Sequence, residues 1–162
     1  MSSRPSSKPE ASVDRASCTR QALDLLARRE HSQQELERKL RARDFTPEII
    51  AETLTELTAT GALKEARFAE SYVRARAARG KGPVRIRAEL AERGVAVEQS
   101  APALKQSEQD WHALARDVRK KRFGPTLPTD FKERARQARF LQYRGFDAAQ
   151  IKSALEGKDD SD

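Results

Sequence analysis

A glycine-lysine-glycine run, Gly80-Lys81-Gly82, precedes Pro83 and a basic stretch, and it is the part of this chain that most resembles a phosphate-binding loop. A nucleotide loop of that type needs a buried strand before it, a longer glycine loop, and a Ser or Thr after the lysine to hold magnesium. Here the preceding stretch reads as helix and Lys81 is followed by Gly82. Ser71 is the only Ser or Thr between Leu63 and Gln99. The run is therefore expected to be a hinge between helices, with Pro83 at the first position of the second one. Backbone N–H groups exposed at that helix start would still be able to touch a nucleic-acid phosphate. The other reactive side chains are more isolated. His31 and His112 lie far apart and have no Cys or carboxylate at a metal-ligand spacing. His31 beside Ser32 reads as a helix-entry residue, and Cys18, the single cysteine, has no evident activating partner. Glu35, Glu37, Glu48 and Glu52 fall at helical positions expected to be exposed, where charge pairing or solvation is the ordinary role. No catalytic residue, metal site, cofactor or small-molecule substrate is expected, so the chain reads as a protein that grips another molecule.

The bulk properties agree with that reading. Of 162 residues, 37% are hydrophobic, 35% charged and 6% aromatic, which suits small helical units each burying a narrow stripe. The chain is nevertheless too apolar and too well patterned to be disordered. A formal net charge of +7 favours an acidic partner, with nucleic acid the obvious candidate. One cysteine forms no internal disulfide and suits a reducing compartment. No apolar run is long enough to cross a membrane, and the start, "MSSRPSSKPEASVDRAS", lacks the apolar core of a signal peptide. A cytoplasmic protein with no membrane partner is the expectation.

The elements that position these residues repeat. Residues 36–54, 86–104 and 137–155 align without gaps, at offsets of 50 and then 51 residues. Leu40, Leu90 and Leu141 fall in register, as do Arg43, Arg93 and Arg144. Phe45, Val95 and Phe146 form a third column, and Leu54, Leu104 and Leu155 a fourth. In each copy an amphipathic helix ends at Arg, and Asp44, Gly94 or Gly145 follows. Glycine suits a left-handed C-cap, and Asp tolerates that conformation better than most residues. Thr46, with Pro47 after it, and Asp147 are candidate N-caps, and Ser32 with Glu35 forms a candidate capping box. A further helix precedes each aligned segment, at 20–30, 65–79 and 109–123. Leu23, Leu26 and Ala22 share a face in the first, Phe68, Tyr72 and Val73 in the second, and Trp111, Leu114 and Val118 in the third. The expected fold is all-α, three tandem three-helix repeats in an elongated, curved arrangement. Its expected divisions are a disordered polar tail (1–14), repeats at 15–64, 65–108 and 109–157, and an acidic tail (158–162).

Charge is uneven along this repeat. Residues 19–65 carry a net −1, residues 67–93 a net +5 and residues 111–144 a net +7, before the last eighteen residues return to −3. Such asymmetry points to a polyanion-facing surface on the second and third repeats. Arg74, Arg76 and Arg79 leave one helix, Lys81, Arg85 and Arg87 enter the next, and the tight turn between them would let their charges converge. Lys120, Lys121 and Arg122 occupy the matching helix end of the third repeat, with Arg136 and Arg139 on the following helix. These eleven side chains are the expected partner-binding surface. An i,i+4 pair such as Glu70–Arg74 would neutralise part of it, and aromatic residues are too sparse for base stacking to be expected.

The stretches "ALDLLARREHSQQELERKL", "ARFAESYVRARAARGKGPVRIRAELAERGV" and "RFLQYRGF" make the chain, from about residue 20 to 156, resemble the RecX family, regulators of the RecA recombinase. Two features depart from the family's pattern: Asp44 stands where Gly is usual, and Lys64 and Glu65 stand where an acidic pair usually precedes Arg67-Phe68-Ala69. The resemblance implies three tandem three-helix repeats and no enzymatic activity. It also implies binding along the groove of RecA filaments on single-stranded DNA, with modulation, mostly inhibition, of RecA ATPase, strand exchange and coprotease activity. Some members also bind DNA directly. Two rival readings are a stand-alone DNA-binding protein of helix-turn-helix type and a nucleotide-dependent enzyme using Gly80–Gly82. Repeated helical units also permit exchange between chains, which leaves monomer and domain-swapped dimer both open.

Overall fold

A computed structural model of the chain describes residues 8–157, with side chains from Val13 onward. The acidic tail expected over 158–162, like residues 1–7, lies outside the described residues. Every regular element described is an α-helix: α1 (Lys8–Arg28), α2 (Gln33–Arg41), α3 (Pro47–Ala59), α4 (Glu65–Ala78), α5 (Pro83–Glu92), α6 (Val97–Gln106), α7 (Trp111–Phe123), α8 (Phe131–Arg144) and α9 (Ala148–Glu156). They follow one another as three tandem three-helix repeats. The polar stretch expected as tail is helical from Lys8 on. Arg15, just past that stretch, donates from its guanidinium to Glu52 at 2.8 Å and to Glu56 at 2.9 Å on α3.

The caps form where the residue types required them. Ser32 and Glu35 close a reciprocal capping box on α2, and Asp147 and Gln150 do the same on α9. Thr46 caps α3 with Pro47 behind it. The three residues after the middle helices are all left-handed, Gly94 at φ 80°, Gly145 at φ 98° and Asp44 at φ 65°.

The helices gather into two compact units, residues up to Phe68 together with Arg93–Val95, and Ala69–Glu92 together with residues from Ala96 on. In the first, α1, α2 and α3 bury Cys18, Ala22, Leu25, Leu36, Leu40, Ile50, Leu54, Leu57 and Leu63. Leu23, expected on the apolar face, is 43% exposed, and Leu25 takes the core position. Buried His31 donates from Nδ1 to the Arg29 carbonyl and accepts at Nε2 from Lys39. Burial, with Arg29 and Lys39 nearby, lowers its pKa and so favours the neutral ring. Ser32 Oγ donates to the Arg93 carbonyl at 2.9 Å, and Glu35 is half-buried between Arg29 and Arg93 rather than exposed.

The second unit repeats this joint with other atoms. Gly82 N–H donates to the Arg144 carbonyl, and Val84 N–H to the Gly145 carbonyl, both at 2.9 Å. Gly82 and Arg144 lie 50 and 51 residues beyond Ser32 and Arg93, so the period of the sequence is also the period of the joint. At the second, the N-terminal end of α5 receives the carbonyls at the end of α8, and opposite ends of two helix dipoles meet. Around the second joint a small core forms from Ala115, Leu141, Phe146 and Ala154, with Leu114, Val118, Phe140 and Ile151 packed against it.

Candidate partner-binding surface

Gly80-Lys81-Gly82 turns the chain from α4 into α5, as expected, but it is a clamped joint and not a hinge. A Cβ at Gly82 would overlap the Gly145 carbonyl group, and a Cβ at Gly145 would overlap the Arg85 main chain and Cβ. The N–H groups of Gly82 and Val84, expected to remain available to a phosphate, are used by α8 instead. Both α4 and the turn are helical or tight-turn backbone with no strand before them, so no nucleotide loop is formed here.

Eleven basic residues were expected to make one surface, and the structure divides them by what they already hold. Arg76 donates through Nε and a terminal nitrogen to the two oxygens of Glu89, both at 2.8 Å. Arg85 reaches the same carboxylate at 3.0 Å, and Tyr72 Oη donates to it at 2.7 Å. Burial alone would raise the Glu89 pKa, but hydrogen bonds from Arg76, Tyr72 and Arg85 outweigh it and hold the group at about 2. Arg85 also lies over the Tyr143 ring at 5.5 Å. Arg136 donates to both Glu133 oxygens at 2.9 and 3.1 Å. Arg76, Arg85 and Arg136 are thus neutralised within the fold: Arg85–Glu89 and Arg136–Glu133 are local helix pairs, whereas Arg76 reaches Glu89 from thirteen residues away.

The remaining eight carry charge without a carboxylate within ion-pair distance among the described residues. Arg74, Arg79, Arg87, Lys120, Lys121, Arg122 and Arg139 are exposed, and the expected Glu70–Arg74 pair is not formed. Lys81 is half-buried, and burial together with Arg85, Arg144 and Arg76 lowers its pKa. Arg79, Lys121 and Arg122 line one cleft within the second unit, whose wall also includes Arg144, a residue the sequence placed only in a repeat column. Arg74 lines a different hollow with Glu70 and Glu108. Among the described residues no helix is long and apolar enough to cross a membrane, and no group of three or more His, Cys, Asp or Glu could hold a metal.

Three tandem three-helix repeats, with unpaired cations on the second and third, define an all-α helical-repeat protein. The sequence patterns of the first, second and third three-helix domains of RecX match residues 18–57, 65–104 and 108–155. The regulatory protein RecX of Halorhodospira halophila is 49% identical over 141 residues, covering 87% of this chain and 88% of that one. The regulatory protein RecX of Pseudomonas fluorescens (strain SBW25) is 47% identical over 143 residues, covering 88% and 92%. The chain belongs to the RecX family. Its fold is also that of the crystal structure of RecX from Lactobacillus salivarius, at a TM-score of 0.77 and 21% identity over 90% of this chain and 97% of that one.

Proposed function

We propose that the protein is a non-enzymatic regulator that binds RecA–DNA filaments along their helical groove and restrains RecA ATPase, strand exchange and coprotease activity. The observation that carries this reading is the combination of RecX family membership with the concentration of unpaired cations on the second and third repeats. These cations meet acidic filament surface or DNA phosphate, while the near-neutral first repeat docks mainly through packing. Contacts spread over three repeats add through effective concentration, so each can be weak. Binding across successive subunits blocks the groove or biases the filament towards disassembly.

The test is RecA's DNA-dependent ATPase and its pelleted filament, titrated with this protein at two salt concentrations. Co-pelleting with ATPase falling at substoichiometric ratios is the expected result. Charge reversal at Arg74, Arg79 and Arg87, which are exposed and carry no carboxylate partner, is expected to weaken it. No co-pelleting and an unchanged ATPase would remove the filament reading and leave duplex-site selection as the next experiment.

A further inference from the structure

The lysines of this chain differ in what surrounds their ammonium groups, and one of them stands against a base. Lys39, in the last turn of α2, is half-buried, and its Nζ lies 2.8 Å from Nε2 of His31. His31 is 1% exposed, and its Nδ1 meets the Arg29 carbonyl at 3.0 Å. A carbonyl only accepts, so Nδ1 carries the proton and Nε2 turns its lone pair to the amine. Among the described residues no other lysine side chain makes a hydrogen bond. Lys64, Lys105, Lys120, Lys121, Lys132 and Lys152 are exposed, and Lys81 is half-buried without an imidazole beside it. Burial, Arg29, Arg43 and Arg28 lower the Lys39 pKa, with Glu35 pulling the other way, which raises the share of neutral amine. Glu35 is itself engaged by Arg29 and Arg93, so the guanidinium groups leave the approach to Nζ favourable to an anion.

We propose that Lys39 is a site of acylation by anionic donors of the acyl phosphate class, with His31 as the base that takes up its proton. The Nζ lone pair attacks the acyl carbon while an N–H still points at Nε2. The C–N bond forms, the C–O bond to the phosphate breaks, and the proton shed by the nitrogen goes to Nε2. The departing phosphate carries that proton away as hydrogen phosphate, so the ring returns to its neutral form and no further reactant is needed. The product fits the site, because acylated Lys39 keeps one amide N–H for the bond to Nε2 while its positive charge is gone. Acylation takes one cation from a repeat that is already net −1 over residues 19–65, and so widens its charge contrast with the second and third repeats. A purely structural Lys39–His31 contact would bring the same atoms together but would give the amine no advantage in rate. The site goes beyond the filament reading and does not rest on it.

The experiment incubates the full chain, without RecA, with acetyl phosphate and follows each lysine by peptide mass spectrometry. Lys39 is expected to be acetylated roughly tenfold faster than the exposed lysines. A positioned base contributes about a hundredfold or more, and the limited access of a half-buried amine offsets part of it. Lys81 is the internal control, since it shares burial and guanidinium neighbours but has no imidazole, and it is expected to lag behind Lys39. H31Q keeps an acceptor for the ammonium but takes up no proton. It is expected to bring Lys39 down to the rate of Lys81 and to leave the exposed lysines unchanged, with its fold checked by circular dichroism. If H31Q does not fold, the ratio of Lys39 to Lys81 in the unmodified protein decides alone. Equal rates at Lys39 and Lys81, or a folded H31Q in which Lys39 keeps its rate, would overturn the proposal. So would a Lys39 preference equally large with uncharged acetic anhydride, because the guanidinium groups would then play no part in choosing the donor. With RecA absent, a failure here leaves the filament titration untouched, and a failure there leaves this site standing.

Discussion

Glu89 shows how a single residue reorganises a surface that looked uniformly basic. Its carboxylate draws in Arg76, Arg85 and Tyr72 and removes two of the expected partner-binding cations from the available set. With a folded pKa of about 2 against an ordinary 4.5, the native state binds fewer protons than the unfolded chain between those values. This stabilisation is complete above about pH 4.5 and is lost as pH falls towards 2. It amounts to something on the order of 2–3 kcal/mol. In urea titrations, E89Q is expected to be less stable than the unmodified protein near neutrality, with the gap closing as pH falls through that window. A gap independent of pH would show that the three hydrogen bonds do not depend on the charge. Asp44 makes the opposite kind of prediction. It holds φ 65° with a Cβ that Gly94 and Gly145 lack, so D44G is expected to stabilise by about 0.5 kcal/mol in thermal unfolding. The left-handed conformation at this position was legible from its place in the repeat. The convergence on Glu89 was not, because Glu89 lies thirteen residues from Arg76 and no local spacing joins them.

At the scale of elements, the joint between α5 and α8 rests on two glycines that do different work from the turn glycines. At Gly82 the φ is ordinary and only space is lacking, whereas at Gly61 the φ is 79° and space is open. G61A is therefore expected to cost about 1 kcal/mol from backbone strain alone. G82A has to separate α5 from the α8 terminus, and is expected to cost about 2–3 kcal/mol by chemical denaturation. Equal costs would mean that the close approach contributes nothing. Hydrogen exchange offers an independent reading: the Gly82 and Val84 amides are expected to be protected, although both lie at a helix start where amides normally face water. The N-caps at Ser32, Thr46 and Asp147 were legible in the sequence because capping is local chemistry over three or four residues. That Ser32 would also donate to Arg93 was not, since the partner is sixty-one residues away.

Across the whole molecule, the excess charge set by the sequence and the places where it remains unpaired are different quantities. Net charge rises from −1 over residues 19–65 to +7 over residues 111–144, and a polyanion should sense that difference at long range. If about six phosphates are neutralised, affinity for the filament is expected to fall roughly a thousandfold between 50 and 200 mM salt. The slope of log affinity against log salt in the pelleting assay measures this. A slope near zero would assign binding to packing surfaces and remove the basic repeats from the interface.

The sequence by itself determined the helices, their caps, the period of fifty residues and the family, because each is written in local chemistry or in register between copies. Tertiary structure alone decided that Arg76 and Tyr72 converge on Glu89 and which cations surround Phe140. It also turned the Gly80–Gly82 turn into a clamped joint. Charge pairing and close backbone approach depend on distances between residues far apart in the chain, and composition and spacing do not contain those distances.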